Sequence, residues 1–214
     1  MHKKILLLLL LPLFSISQTQ SIIQEQSSHY KSYNFASDAS WDSLLMIENN
    51  TTTRTLRTSA APTASCNLTK QVYGWHPYWS GSVYTSYDWS MISEFCYFDY
   101  SVSPTTGNNT NTSFVWSTSP AVTAALSHSV NVHFCATMFS GHSTFWASTT
   151  AQNNFITNAI SLLNSRGGKG INIDFEGMGS SDRVPFKNFM INLCNQVHAA
   201  NPNYKVTMAL YAVE

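Results

Sequence analysis

One eight-residue stretch places two acids in what reads as a buried β-strand. It runs Gly-Ile-Asn-Ile-Asp-Phe-Glu-Gly from Gly170 to Gly177. Because side chains alternate along a strand, the three apolar residues face one side and Asn172, Asp174 and Glu176 face the other. Strands of parallel sheets are usually apolar on both faces, and burying a carboxylate without a partner is costly. The polar face of this strand therefore predicts a functional site.

Charge is scarce and balanced in the chain. Only 10% of the 214 residues are charged, with 11 Lys and Arg against 11 Asp and Glu. There is no basic surplus to hold a phosphate backbone, so a nucleic-acid partner is not expected. The 43% of hydrophobic residues is enough for the core of one globular domain.

Residues 1–17 have the pattern of a secretory signal peptide. Lys3 and Lys4 precede an apolar run over residues 5–14, and a small-x-small site ends at Ser17. The run is shorter than the roughly 20 residues that a membrane-spanning helix needs. We expect cleavage near Ser17, no membrane contact afterwards, and a secreted location, either extracellular or periplasmic. A retained N-terminal anchor is the alternative.

The four cysteines fit an oxidising compartment, and their spacing argues against a zinc site. Cys96 and Cys135 fall in predicted strands and Cys194 in a predicted helix, where a free thiol packs as a small apolar side chain. With Cys66 the count is even, so disulfides are also open, and the sequence does not fix their pairing.

Residues 18–65 are rich in Gln, Ser, Asn and Thr and hold few apolar clusters. This composition is typical of a mobile polar leader or linker. A short segment from Trp41 to Met46 has enough apolar residues for one or two helical turns but not for a domain. We therefore expect the folded domain to span residues 66–214.

From Cys66 onward, strand-like and helix-like segments alternate, which predicts repeated βα units. The predicted strands are 71–79, 93–102, 131–139, 171–176 and 205–213. The predicted helices are one opened by Ser119 and Pro120, one around 155–163 that ends at Gly167, and one opened by Pro185 and closed at Asn201. The sequence gives no clear assignment for residues 84–91.

This alternation fits either a closed (β/α)8 barrel or an open doubly wound sheet. Glu176 ends its strand, at the edge where barrel active sites lie, and a barrel offers an inner face for polar groups. Residues 74–81, after the first strand, lack the Gly-rich patterns that bind phosphates. We predict an α/β fold of the TIM (β/α)8 type. Since that fold takes roughly 250 residues and eight strands, we expect it to be truncated after about the fifth strand.

The two acids predict proton-transfer chemistry. Asp174 and Glu176 are two residues apart on one strand face, so their β-carbons should lie roughly 6 to 7 Å apart. Carboxyl groups that close cannot both ionise freely, and one then keeps a proton to higher pH, as a general acid must. An acid beside a second carboxylate, in a groove lined by aromatic rings, is typical of glycosidic bond cleavage.

Aromatic residues near the strand ends offer faces on which sugar rings can stack, although core packing is the alternative for each. They are Trp75, Tyr78, Trp79, Tyr97, Tyr100, Phe139 and Trp146. Asp99 is a further candidate groove residue, with loop capping as its alternative. His76, His133 and His142 do not have metal-ligand spacing, and we interpret them as packing or surface residues.

The stretch 170–176 resembles the fourth-strand signature of glycoside hydrolase family 18, D-G-x-D-x-D-x-E, and residues 72–79 and 206–210 are similar to that family's first and fifth strands. The family contains chitinases and endo-N-acetylglucosaminidases. The resemblance implies that Glu176 protonates the leaving oxygen. It implies that Asp174 orients the substrate's own N-acetyl group, whose carbonyl oxygen acts as the nucleophile. It implies no metal or organic cofactor.

The sequence departs from the family pattern at three places. Lys169 stands at the first Asp and Asn172 at the second, and the third strand reads Met-Phe-Ser-Gly-His-Ser over residues 138–143 in place of S-x-G-G. We expect Asn172 to hydrogen-bond Asp174 without sharing a proton. That should lower the pKa of Asp174 relative to an Asp–Asp pair and extend activity toward lower pH.

The resemblance implies a secreted, retaining glycosidase that acts on β-1,4-linked N-acetylglucosamine polymers such as chitin. The alternatives are a non-hydrolytic protein that binds chitin or peptidoglycan, and an inactive fragment of the enzyme. We expect the 214-residue chain alone to hydrolyse poorly, because an open five-strand barrel exposes its inner face and edges. Chitin, peptidoglycan and N-glycan substrates, internal and terminal cleavage, and the oligomeric state all remain open.

Overall fold

The computed structural model describes residues 21–50 and 68–210, which are built around one parallel sheet. Its strands are β1 (Tyr73–Pro77), β2 (Glu94–Ser101), β3 (Asn131–Met138), β4 (Gly170–Phe175) and β5 (Lys205–Met208). Each strand pairs with the next in chain order. A doubly wound sheet reverses its strand order at a switch point, whereas a barrel wall does not. The prediction of an α/β barrel-type fold is confirmed.

The helices are α1 (Ile22–Tyr30), α2 (Asp38–Asn50), α3 (Pro120–Ser127), α4 (His142–Ala147), α5 (Thr149–Arg166) and α6 (Arg183–Ala200). Short 3-10 segments cover Tyr78–Ser86, Trp89–Met91 and Ser180–Asp182. Ser119 caps α3 by accepting a hydrogen bond from the amide of Val122, and Gly167 ends α5 with a left-handed φ of 68°, both as predicted. The last helix begins at Arg183, two residues before Pro185.

The two faces of β4 differ as the alternation predicts. Ile171 and Ile173 are buried on the helix side, where Phe175 stacks on Phe189 of α6 with ring centroids 5.8 Å apart. Asn172 and Asp174 point to the opposite, inner face of the sheet. The apolar face therefore holds the strand in the core and leaves the polar face free for chemistry.

A charged cluster joins three strands on the inner face near their N-terminal ends. Glu94 of β2 lies 2.5 Å from Nε2 of His133 on β3 and 2.6 Å from Nζ of Lys205 on β5. Burial raises the pKa of the Glu94 carboxyl, but hydrogen bonds from Lys205, His133 and Asn131 outweigh it and leave the pKa below its ordinary value. The cluster lies at the end of the strands away from Glu176.

The expectation of a mobile polar leader is wrong for residues 21–50. These residues form α1 and α2, and Trp41 is only 2% exposed, with its ring 5.4 Å from that of Tyr78. Tyr30 stacks on Trp79 at 5.2 Å. The prediction rested on the overall polar composition of the segment and gave too little weight to the few aromatic residues that anchor it. Residues 18–20 and 51–65 of the predicted linker lie outside the described part of the chain.

The predicted signal peptide and Cys66 also lie outside the described residues. Cys96 and Cys135 are buried free thiols, and Cys194 is a half-buried one. Within residues 21–50 and 68–210, no helix is long and apolar enough to span a bilayer.

Candidate active site

Two carboxyl groups meet where β4 ends. Asp174 pairs in register with Thr137 of β3, and the amide of Glu176, one residue past the strand, donates to the carbonyl oxygen of Met138 at 3.0 Å. The side chains of Asp174 and Glu176 line the same pocket, and they lie close enough for Glu176 to affect the pKa of Asp174. Both are buried, with exposures of 6% and 9%. The backbone of β4 thus places both carboxyl groups on the same side of the sheet, at the end of the strand.

The pKa of Asp174 is raised to about 7. Burial is the main cause, followed by the negative charge of Glu176, the hydrogen bond with it, and the charge of Asp99. The Asp174 carboxyl group is therefore partly protonated near neutral pH. A carboxyl group that keeps a proton to neutral pH beside a second carboxyl group is suited to acid catalysis.

Asp99 adds a third acid to the same inner face. The hydroxyl of Thr137 donates to its Oδ2 at 2.5 Å, and the side-chain amide of Asn111 donates to its Oδ1 at 2.8 Å. It is 1% exposed, and burial raises its pKa to about 6 despite these hydrogen bonds. Asp99 thus holds Asn111 of the loop after β2, and it also lies close enough to Asp174 for its charge to raise the pKa of that group.

We predicted a hydrogen bond between Asn172 and Asp174, but the side chain of Asn172 bonds to other residues instead. Its Oδ1 accepts from the indole N–H of Trp75 at 3.3 Å and from the thiol of Cys135 at 3.4 Å. Its Nδ2 donates to Oγ1 of Thr207 at 2.9 Å. Asn172 lies two residues before Asp174 on β4, and its amide joins β1, β3 and β5.

The predicted aromatic residues divide into three groups. Trp75 lies on the inner face and is 46% exposed, so its ring is available to a ligand. Tyr78 and Trp79 lie at the rim of the sheet but are covered by α1 and α2. Tyr97 is on the opposite face, in the core, where its ring stacks on Phe114 at 5.4 Å. The prediction of Tyr97 as a groove residue is therefore wrong.

The three further aromatic candidates also divide. Phe139 is half-buried beside Ser140 in a cleft at the rim. Tyr100 is buried against helix α5, where its ring centroid lies 5.7 Å from that of Phe155. Trp146 packs among the rings of α6 and donates to Asp182 at 2.8 Å. Tyr100 is therefore a core residue, and Trp146 is half-buried against the core.

Four polar residues of the site were not predicted. Thr137 and Thr207 are in register with Asp174 and Asn172, so a strand alignment would have found them. Asn111 lies in the long connection after β2 and gives no sequence signal. Ser21 gives none either, yet its hydroxyl donates to Oε1 of Glu176 at 2.9 Å.

The acid pair opens onto a pocket on the β5 side. Met178, Ala209 and Leu210 line it together with Asp174 and Glu176. Among the residues that the structure describes, no group of three His, Cys, Asp or Glu side chains is placed to hold a metal ion. The acids, the inner-face amide and hydroxyls, and Trp75 are the groups that can act on a ligand here.

The sequence matches no family model and no curated protein sequence. By structure, the chain is similar to a chitinase from Bacteroides thetaiotaomicron, with a TM-score of 0.55, 18% identity and coverage of 66% of this chain and 46% of that one. For a mutant GH18 chitinase from Cycas revoluta in complex with (GlcNAc)4, the TM-score is 0.54 and the identity 15%, with coverage of 65% of this chain and 45% of that one. For a chitinase from Rhizomucor miehei, the TM-score is 0.51 and the identity 14%, with coverage of 66% of this chain and 47% of that one.

The chain spans less than half the length of these three structures. The likeness lies in the fold, and it agrees with the parallel order of β1 to β5 and with the helices that separate most of them. The chain has the fold of a chitinase-type (β/α)8 barrel over its first five strands.

Proposed function

We propose that the chain carries the acid–base machinery of a secreted glycosidase that hydrolyses β-1,4-linked N-acetylglucosamine polymers. Two buried carboxyl groups, those of Asp174 and Glu176, lie together at one pocket where β4 ends, and this is the observation that carries the proposal. The chitinase-type fold supports it, because barrel active sites lie at the C-terminal ends of the strands. The pattern of residues 1–17 supports secretion.

The pair needs only one proton to perform the first step. When the acetamido N–H of the substrate hydrogen-bonds to Asp174, it favours the carboxylate form of Asp174, and the proton of Asp174 passes to Glu176. Glu176 gives that proton to the glycosidic oxygen as the C1–O bond breaks. The acetamido carbonyl oxygen attacks C1, and Asp174 stabilises the positive charge of the resulting oxazolinium.

The second step returns the proton. The Glu176 carboxylate takes a proton from water, whose oxygen attacks C1 and opens the oxazolinium ring. Two displacements at C1 retain its configuration. Trp75, on the same inner face and half exposed, supplies a ring on which a sugar can stack.

The test compares hydrolysis of a fluorogenic N-acetylglucosamine oligosaccharide by the wild-type chain, Glu176→Gln and Asp174→Asn. Loss of a positioned general acid should reduce even a slow wild-type rate by about 10²- to 10⁴-fold. Glu25→Gln is the matched control, because Glu25 is an exposed acid on α1, and its rate should not change. An equal rate for Glu176→Gln would contradict the proposal. Wild-type binding of (GlcNAc)4 without hydrolysis would favour the alternative of a carbohydrate-binding protein.

A further inference from the structure

The first helix of the chain reaches the proposed general acid. Ser21 is the N-cap of α1: its Oγ accepts from the amide of Gln24 at 3.0 Å and donates its own hydrogen to Oε1 of Glu176 at 2.9 Å. A hydroxyl oxygen therefore lies within hydrogen-bond distance of the carboxyl group that must protonate the glycosidic oxygen. The Ser21 hydroxyl and a bound leaving group would compete for this carboxyl group.

One face of α1 lines the mouth of the barrel. Gln24, Ser27, Ser28 and Lys31 follow helical spacing and form one wall of a cleft whose other wall includes Asp99. Lys31 is close enough to Asp99 to oppose the rise of its pKa on burial. The helix thus presents hydroxyl, amide and ammonium groups to the polar residues that a saccharide would meet.

The same segment covers two of the predicted sugar-stacking rings. Tyr30 lies over Trp79 with an interplanar angle of 23°, and Trp41 meets Tyr78 edge-on. Tyr78 and Trp79 are only 5% and 4% exposed as a result of this packing and of the core around them. A sugar ring cannot stack on the ring face of Trp79 while Tyr30 is there.

Both apolar packing and polar contacts hold α1 and α2 in place, and Trp41 is part of the core. The Oδ1 atom of Asp42 accepts from the amide of Ser82 at 2.8 Å, and Thr112 donates to Asn34 at 2.6 Å. A nine-residue helix such as α1 is marginal in water without packing. Docking and folding of the segment are therefore coupled, because the apolar side chains that pack on the core when the segment is docked become exposed when it undocks.

We propose that residues 21–50 are an internal cap that competes with the saccharide for the barrel mouth. Ser21 takes the place of the leaving oxygen at Glu176, and Tyr30 takes the place of a sugar ring on Trp79. The cap occupies these two positions until the saccharide displaces it or the helices undock. This proposal rests on the proposed function, because it assigns a regulatory element to the same site.

The test measures the affinity of the full chain for (GlcNAc)4 by calorimetry and the protection of α1 amides by hydrogen exchange. The released variant is Tyr30→Ala with Trp41→Ala, which removes both aromatic anchors. The matched control is Met46→Ala with Ile47→Ala, two exposed apolar residues of α2. We expect the released variant to bind at least tenfold more tightly, the control to bind like the wild type, and the tetrasaccharide to speed exchange in α1 of the wild type.

Other results would overturn the docked cap, its competition with the saccharide, or the proposed function itself. If α1 amides of the free wild type exchange at the rate of an unfolded peptide, there is no docked cap, whatever the site does. Weaker binding by the released variant would make α1 a wall of the sugar groove and overturn competition. Equal binding by wild type and released variant would also overturn it while leaving the proposed function intact. A protected α1 with no tetrasaccharide binding by either protein would overturn the proposed function, and with it the competition.

Discussion

At the scale of single residues, the site depends on buried acids that the fold brings together on the inner face of the sheet. Asp99 and Asp174 both have raised pKa values, and in each case burial is the main cause. Burying carboxylates costs stability, and residues retained at such a cost are typical of functional sites. Because Asp99 and Asp174 lie close together on the inner face, the loss of stability from burying them arises at one end of the sheet.

Asp99 gives a stability prediction with a definite sign. Its folded-state pKa of about 6 lies above the ordinary value of 3.8, so the folded chain binds the proton more tightly than the unfolded chain. Stability therefore falls as the pH rises from about 4 to about 6 and stays lower above that range. Asp99→Asn removes the ionisation and can keep the contacts with Asn111 and Thr137. We expect it to stabilise the chain by up to about 3 kcal/mol at pH 8 and by almost nothing at pH 4.

Chemical denaturation of Asp99→Asn and the wild type at the two pH values checks this prediction. Asp88→Asn is the matched control, because Asp88 lies in an exposed turn and its substitution should not give a pH-dependent gain. A gain of the same size at pH 4 and pH 8 would show that ionisation of Asp99 is not the cause.

At the scale of elements, the sequence predicted those whose signals are local. The alternation in β4, the Ser119 cap and the Gly167 stop each depend on a few neighbouring residues, and each is confirmed. The strands β2 and β3 also lie within one residue of their predicted bounds. Local patterns were sufficient because packing in these elements agrees with intrinsic preference.

The errors arose where tertiary structure decides. Strict alternation puts Tyr97 and Asp99 on one face of β2, and the prediction placed both in the groove. The pairing with β3 shifts by one residue between Phe98 and Tyr100, so Asp99 turns inward while Tyr97 and Tyr100 pack on the helix side. A bulge of this kind has no signature in the sequence. The role of residues 21–50 was missed because it depends on contacts with distant parts of the chain.

At the scale of the whole molecule, the acid pair and the Glu94 cluster lie toward opposite ends of the same inner face. Glu94 connects β2 to β3 and β5 through His133 and Lys205. Its hydrogen bonds hold three strands in register at the end that carries no proposed chemistry. We interpret this cluster as structural support for the sheet on which the site is built.

Removing the charge of Glu94 should destabilise the chain. Glu94→Gln leaves His133 and Lys205 without their carboxylate, and breaking a buried ion pair typically costs about 3 kcal/mol. Because the pKa of Glu94 is lowered in the fold, its stabilising effect is present above its ordinary value of 4.5 and is lost as the pH falls below it. Urea denaturation at pH 7 and at low pH measures both effects, with Glu25→Gln as the exposed control. A loss below about 0.5 kcal/mol at pH 7, the range of ordinary surface substitutions, would contradict the structural role.

The central claim is that Asp174 and Glu176 act as one proton-sharing pair. Carbon-13 NMR titration of the Asp174 carboxyl group, assigned by its loss in Asp174→Asn, tests this claim most directly in the wild-type chain and in Glu176→Gln. We predict a midpoint near pH 7 in the wild type and a lower midpoint in Glu176→Gln, since that substitution removes the charge of Glu176 but not the burial. A midpoint near pH 4 in both proteins, or the same midpoint in both, would contradict the claim.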